Sequence, residues 1–440
     1  MIIYAHTLTA RLQYIADFIG KEINGNHFFH LTDDVEVYRG SQDLRINYSG
    51  EKIMADELFM TPHRLLLETG IKQQPIDCFE INGYKAFFRG LGDYPFDIFA
   101  ASFYLLTRYE EYLPHKKDEY GRYAHENSLA YRDNFLHLPL INLWIRDFKR
   151  VLQDRFPTLH DEFRNGNQNQ RFRFLPTYDI DEAWSFKHKS FRKTAGGVAK
   201  SFFKGGWQQI NERIGVLTGK QKDPYDAYQW MDQLHQRFNL QPRYFFIMAD
   251  KNSRYDKNIL PGKKAMGELI RQLTTKYSVG LHPSWQSGDD VSLIRKEKDM
   301  LEKITGEKIL SSRQHYIRLT LPETFRFLIE AGIKNDYSMG YGSINGFRAS
   351  VTSAFFWYDL EKEIATQLRL FPFCFMDANS FYEQKISAQE AYEEMNRYSE
   401  IIKTVNGAMI SIWHNSFLGN SPIYRGWKEA YEKFISGVSS

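Results

Sequence analysis

Strand-like and helix-like segments alternate along the chain from residue 171 onward, and this alternation limits the possible folds most strongly. The segments RYFFIMAD (243–250) and SVGLH (278–282) are strand-like, and residues 263–277 between them repeat apolar side chains at helical spacing. A last helix over 388–405 precedes the strand-like GAMISIWHN. Repeated β-then-α units favour a sheet of parallel strands, either doubly wound or closed into a barrel.

The first 165 residues form a different pattern, which predicts a smaller α/β domain. Ile2–Tyr4 predict a strand, short apolar runs over 27–90 predict strands and hairpins, and helices are expected over 96–113 and 138–156. The polar stretch FRNGNQNQ (163–170) has no periodicity and is the best linker in the chain. We therefore expect two domains, over residues 1–165 and 171–440.

Charge and cysteine content exclude several classes of protein. The net charge is +3, from 57 basic and 54 acidic side chains, which argues against a nucleic-acid or membrane partner. Cys78 and Cys374 show no spacing typical of a disulfide framework or a cysteine zinc site. The N-terminus does not read as a signal peptide and no window of about 20 apolar residues occurs, so a cytoplasmic location is expected by default.

One segment stands out by charge alone. Residues 185–222 hold nine Lys or Arg and one Glu. A solvated insertion and a lid that contacts an anionic surface both fit this composition. The sequence does not separate these two alternatives, and it does not indicate an oligomeric state.

Reactive side chains recur where the predicted strands of the second domain end. Such ends meet at one face of a barrel, where catalytic groups gather. Paired carboxylates there need a cation, a proton or an arginine to coexist, and a neutral imidazole at a strand end is a common zinc ligand. Structural roles remain open for each residue taken alone. The residues are Asp179, Asp181, His282, Arg313, His315, Asp336 and His414.

The order of five short motifs resembles that of the polysaccharide deacetylase family, also called the NodB homology family. The motifs are TYDID, GLHPSW, GFRAS, MDA and SIWHN, and the resemblance covers about residues 171–440. It implies a distorted (β/α) barrel of the NodB type, a divalent metal that is often zinc, and a set of residue roles. Asp179 would be the catalytic base, Asp181 and His282 metal ligands, Arg348 the partner of the base, Asp377 a supporting residue, and His414 the general acid.

The chain departs from the family pattern at the second motif. The family has two histidines four residues apart, whereas this chain has His282 followed by Gln286. His315, at the end of the next predicted strand, is the candidate replacement, because Asp181, His282 and His315 would leave an open position on a catalytic zinc ion. If His315 is instead structural, the metal is weakly bound or absent.

The remaining predictions concern the substrate. Trp285, Tyr341 and Trp413 are candidates to stack on sugar rings, with core packing as the alternative, and Arg313 could help to orient the carboxylates. The expected activity is hydrolysis of an N-acetyl or similar acyl amide on a sugar or polysaccharide. A glycan-binding module without hydrolysis and a hydrolase of small non-sugar amides remain as alternatives, and no motif indicates a role for residues 1–165.

Overall fold

The computed structural model describes residues 1–25, 27–166, 171–189 and 207–439. Part of the expected linker, residues 167–170, and the middle of the basic segment, residues 190–206, lie outside this set. The predictions made for those two stretches therefore stay predictions.

The first part of the chain contains a four-stranded parallel sheet with the strand order β2-β1-β3-β4. Its short strands are largely buried, as expected for parallel strands covered by helices. The strands are β1 (Ile2–Tyr4), β2 (His30–Thr32), β3 (Arg45–Tyr48) and β4 (Leu58–Met60). A separate antiparallel hairpin consists of β5 (Phe79–Ile81) and β6 (Tyr84–Ala86).

The helices of this part surround the small sheet. Thr9 caps the first helix by accepting a hydrogen bond from the Leu12 amide, and Gly25 ends it in the left-handed conformation that glycine adopts readily. The α-helices are Ala10–Asn24, Val35–Gly40, Ile98–Leu106, Leu129–Arg132, Leu140–Arg155 and Leu159–Gly166.

The second part is organised around a nine-stranded sheet with the order β12-β13-β11-β10-β9-β8-β7-β15-β14. All neighbouring pairs are parallel except β12 with β13. The strands are β7 (Arg173–Ile180), β8 (Arg243–Ile247), β9 (Ser278–His282), β10 (Ser311–Ser312), β11 (Asn335–Asp336), β12 (Phe355–Asp359), β13 (Ile364–Leu370), β14 (Phe375–Met376) and β15 (Ala408–His414).

Helices alternate with these strands, which confirms the mixed α/β class expected from the sequence. They are Trp207–Leu217, Tyr228–Arg237, Lys264–Thr274, Val291–Thr305, Glu323–Glu330, Ala388–Lys403 and Trp427–Val438. Within the described residues β12 and β14 are the two edges of the sheet and do not pair with each other, so the strand topology does not confirm a closed barrel.

The two parts share one hydrophobic core. Tyr14 and Phe103 from the first part pack against Tyr358 from the second, with ring centroids 5.0 and 5.3 Å from that of Tyr358. Arg11 forms an ion pair with Glu363 across the same boundary. The domain division at residues 165–171 stays a prediction. None of the helices in the described ranges combines the length and apolar character needed to cross a membrane.

Candidate functional site

A cavity of about 650 Å³ lies where several parallel strands of the large sheet end. Strand β7 ends next to Asp179 and Asp181, β9 ends at His282, and β15 ends at His414. His315 follows the short strand β10. Because the carboxyl ends of parallel strands meet at one edge of a sheet, the register itself brings these side chains to one place. All five line the cavity.

Three of these side chains form a compact cluster that could hold a cation. Ligand atoms of Asp181, His282 and His315 lie within 4.8 Å of one another. The Asp181 oxygens are 3.2 Å from Nε2 of His282 and 3.4 Å from Nε2 of His315. The structure therefore brings together the three ligands expected from the sequence, including the candidate replacement His315.

The other nitrogen of each imidazole is fixed by a hydrogen bond. Nδ1 of His282 donates to the carbonyl oxygen of Arg313 at 2.5 Å, and Nδ1 of His315 donates to Asp256 at 3.0 Å. Both rings are thereby oriented with Nε2 toward Asp181. Metal-binding histidines characteristically have their second nitrogen held by a carbonyl or a carboxylate in this way.

The cluster requires positive charge at its centre. Oδ1 of Asp181 is buried and accepts no hydrogen bond of good geometry. A neutral imidazole directs a lone pair at this carboxylate, so either protons on Nε2 or a metal cation must separate the groups. Burial alone would lower the pKa of His315, but the Asp181 and Asp256 carboxylates raise it to about 9. A donor set of two imidazoles and one carboxylate with an open position fits Zn²⁺.

The carboxylate of Asp179 lies beside this cluster and is held by an arginine. Its Oδ1 is 2.8 Å from Nη1 of Arg313, and its Oδ2 is 3.8 Å from Nε2 of His282. Arg313 is buried and donates a further hydrogen bond from Nε to the carbonyl of Tyr337 at 3.0 Å. The guanidinium is thus fixed on both sides, and it orients Asp179 toward the cavity.

The pairing expected for Arg348 is made by Arg313 instead. Arg348 is buried away from Asp179 and binds Glu111 through two hydrogen bonds of 2.8 and 2.5 Å. Arg108 also binds Glu111. Burial would raise the pKa of Glu111, but the Arg348 and Arg108 charges hold it near 2. The described contacts place Arg348 in a buried ion network between the two parts of the chain.

His414 approaches Asp181 from a third side. Its Nε2 lies 3.5 Å from Oδ2 of Asp181, and its Nδ1 donates to Asp377 at 2.6 Å. The backbone amide of His414 also donates to Asp377, at 2.7 Å. Burial would lower the pKa of His414, but the charges of Asp377 and Asp181 raise it to about 10. The imidazolium form with Nε2–H facing the cavity is therefore favoured at neutral pH.

The three aromatic residues predicted to stack on sugars do not line the cavity. Trp413 is fully buried and packs on Tyr431, with ring centroids 4.3 Å apart, because it points to the opposite face of β15 from His414. Tyr341 is buried and accepts a hydrogen bond from Arg108. Trp285 is half-buried and stacks on Tyr255 at 4.0 Å.

Sequence reasoning missed several residues that build the site. Asp256, which holds His315, occurs in a stretch with no recognisable pattern, and Gln286 donates a hydrogen bond to it at 3.2 Å. Aromatic rings and a segment of the first part of the chain also line the cavity. These residues are Glu119, Tyr120, Arg122, Tyr225, Tyr255, Tyr316, Tyr382, Phe417 and Tyr424.

Comparison with known proteins gives matches to separate parts of the chain. A family of unknown function (DUF7033) matches residues 1–157. Curated proteins give no match. Among solved structures, a Mycobacterium smegmatis protein assigned as a polysaccharide deacetylase is 14% identical over 62% of this chain and 85% of that chain, with a TM-score of 0.39.

Two further structures are similar to the same extent. A protein assigned as a polysaccharide deacetylase from Pseudomonas aeruginosa PAO1 is 12% identical over 61% of this chain and 85% of that chain, with a TM-score of 0.39. The allantoinase Puue is 12% identical over 61% and 83% of the two chains, with a TM-score of 0.37. These superpositions are loose, so the functional proposal below depends on the geometry of the site.

Proposed function

We propose that the chain is a metal-dependent hydrolase that removes an N-acetyl or similar acyl group from a sugar amine. The observation that carries the proposal is the cluster of Asp181, His282 and His315, flanked by the Asp179–Arg313 pair and by the His414–Asp377 pair. The sugar and the acyl amide come from the resemblance of the motif order to polysaccharide deacetylases. On the same resemblance we propose that the large sheet belongs to a distorted barrel of the NodB type.

Asp181, His282 and His315 would hold the metal ion. A divalent cation in this position, with Zn²⁺ as the proposed ion, supplies Lewis acidity that polarises the amide carbonyl. The protein residues contribute the geometry: Asp256 and the Arg313 carbonyl fix the two imidazoles before any ion binds. Such fixed rings lose little freedom on ligation, which favours affinity.

In this proposal Asp179 acts as the general base. It accepts a proton from the water that attacks the amide carbon, and a bond forms between the water oxygen and that carbon. Arg313 keeps the carboxylate in one orientation through the 2.8 Å hydrogen bond. In this scheme Arg313 positions the base and does not touch the substrate.

In this proposal His414 acts as the general acid. When the carbon–nitrogen bond of the amide breaks, the leaving amine takes a proton from Nε2 of His414. Asp377 holds the opposite nitrogen, so the proton available for transfer lies on the side of the cavity. The adjacent Asp377 carboxylate raises the pKa of His414, which favours the protonated imidazole.

Metal content and acetate release, measured on the same preparations, test the proposal. Wild-type protein is expected to bind about one zinc ion and to release acetate from N-acetylglucosamine oligomers. Asp179→Asn should retain the metal and lose acetate release, whereas Asp181→Ala and His282→Ala should lose both. Asp250→Asn, at an exposed aspartate paired with Lys296, is the matched control and should change neither.

The alternatives give different results in this experiment. Sugar binding without stoichiometric metal would support a glycan-binding module. Stoichiometric metal with hydrolysis of small amides, but of no sugar amide, would support a hydrolase of non-sugar amides. Retention of both metal and acetate release in Asp181→Ala would refute the proposed site.

A further inference from the structure

A small hairpin from the first part of the chain reaches the candidate active site. Residues 116–124, called here the 116–124 hairpin, fold back on themselves through a bridge between Lys117 and Tyr123. The Asp118 amide donates to the carbonyl of Arg122 at 2.9 Å, and Gly121 turns the chain with φ +75°. This segment lies within residues 1–157, the region that matches a family of unknown function.

Arg122 anchors the hairpin to the second part of the chain. Its Nη1 donates to the carbonyl oxygens of Tyr316 and Gly342, both at 2.9 Å, and its Nε is 2.6 Å from Asp118. A Cβ at position 342 would lie 2.1 Å from Nη1 of Arg122 and 2.7 Å from the carbonyl oxygen of Tyr316. Any side chain at position 342 would push these groups apart. The docking of the hairpin therefore depends on a glycine in the second part of the chain.

The tip of the hairpin forms part of the cavity wall. Glu119 and Tyr120 line the same cavity as Asp181 and His414. The Tyr120 ring packs against Tyr316, with centroids 5.2 Å apart, and edge-on against Tyr255, and all three rings line the cavity. Aromatic faces of this kind pack well against the apolar faces of sugar rings.

A second segment, the π-helical stretch Asn379–Glu383, also contributes to the wall of the cavity. Tyr382 and Glu383 also line it. Burial raises the pKa of Glu383. The Arg122 charge lowers this pKa and the Glu119 charge raises it, so Glu383 lies close enough to both side chains to interact with them electrostatically. Two segments distant in sequence thus contribute to the wall of the cavity, and its volume of about 650 Å³ is typical of a small-molecule pocket.

We propose that the 116–124 hairpin is a substrate-specificity element that turns the cleft into a pocket for a short or chain-terminal N-acetylated sugar. A long polymer bound at an internal unit would need a groove open at both ends, and in this proposal the hairpin, whose residues line the cavity, closes one of them. The inference extends the proposed function and depends on it for the reaction, but not for ligand binding. It also gives a role to the region of unknown function at the start of the chain.

Chain-length dependence of acetate release tests the inference. The probes are N-acetylglucosamine oligomers of one to six units and soluble glycol chitin. Wild-type kcat/KM should reach its maximum at a short oligomer and fall for the polymer. Tyr120→Ala should raise KM for short oligomers by about tenfold, the order of one lost ring contact, with kcat nearly unchanged because Tyr120 does not touch the reacting groups.

Gly342→Ala places a methyl group against the Arg122 guanidinium and the Tyr316 carbonyl, which opposes docking of the hairpin without altering any hairpin residue. It should increase the ratio of polymer to short-oligomer hydrolysis. Leu91→Ala is the matched control, because this side chain is 81% exposed on the same part of the chain. Equal kcat/KM for polymer and short oligomers in the wild type, or an unchanged KM in Tyr120→Ala, would overturn the inference.

Binding measurements separate this inference from the proposed reaction. Trp285 lies beside Tyr120, so its fluorescence reports on ligand at the hairpin. If the wild type binds short oligomers without releasing acetate, the hydrolase proposal fails. In that case, weaker binding by Tyr120→Ala supports the hairpin's role. Unchanged binding by this variant, or no sugar binding by the wild type, overturns it.

Discussion

Asparagine in place of Asp256 should weaken metal binding while leaving the three proposed ligands in the sequence untouched. The Asp256 carboxylate accepts four hydrogen bonds. Oδ1 accepts from Nδ1 of His315 at 3.0 Å and from the Trp285 amide at 2.8 Å. Oδ2 accepts from the Ser253 hydroxyl at 2.9 Å and from Gln286 at 3.2 Å. Asp256 is also 1% exposed, so solvent does not replace a lost contact.

The size of the effect follows from the shape of the amide. Asparagine has the same shape as aspartate but only one oxygen. Its NH₂ group must therefore replace either Oδ1 or Oδ2 and face the hydrogen-bond donors that this oxygen served. If it faces His315, the ring loses the acceptor that holds Nε2 toward Asp181. Loss of such a supporting carboxylate weakens metal binding by about 10–100-fold, which corresponds to about 1.4–2.8 kcal/mol.

A competition titration with a chromogenic zinc chelator at fixed pH measures this change in Kd. Asp250→Asn is the matched control, since Asp250 is half-exposed and pairs only with Lys296 among the described contacts. Circular dichroism establishes that the variant is folded. A folded Asp256→Asn protein that binds zinc as tightly as the wild type would refute the reasoning that Asp256 prepares His315 for ligation.

Two further predictions concern the charges beside the site. Asp377→Asn removes the charge that most strongly raises the pKa of His414 from its ordinary value to about 10. The protonated acid is then lost at a lower pH, so the basic limb of the kcat/KM profile should move to lower pH; an unmoved limb would contradict the role of His414. Glu111→Gln leaves Arg348 buried without a counter-charge and Arg108 with Glu110 as its remaining partner, which should destabilise the protein by about 3–5 kcal/mol in urea unfolding while zinc affinity is unchanged. A urea midpoint of unfolding equal to that of the wild type would contradict that account.

Local pattern was enough to predict the elements that carry the site. SVGLH was predicted as a strand and is β9, and GAMISIWHN contains β15. These strands are buried runs bounded by turns, so their pattern is strong, and parallel pairing then fixes where their ends lie. That is why His282 and His414 could be placed at one edge before the structure was known.

Contacts between distant segments could not be predicted in this way. Arg348 binds Glu111, which is 237 positions away, and neither residue has a local signal for the other. The antiparallel pairing of β12 with β13 at the edge of the sheet was also missed. Both features depend on how the two parts of the chain approach each other, and the periodicity of one segment carries no information on that approach.

The proposed ligand set takes its second imidazole from a different strand than the motif that GLHPSW resembles. In the motif that GLHPSW resembles, two ligands four residues apart come from one turn, so local chain geometry sets their spacing. Here Gln286 at the second position binds Asp256, and Asp256 in turn holds His315. His315 reaches His282 because β10 pairs with β9, which places the two rings 5.0 Å apart. The spacing of the two imidazoles is therefore set by strand register, and metal binding should be lost as soon as that pairing opens.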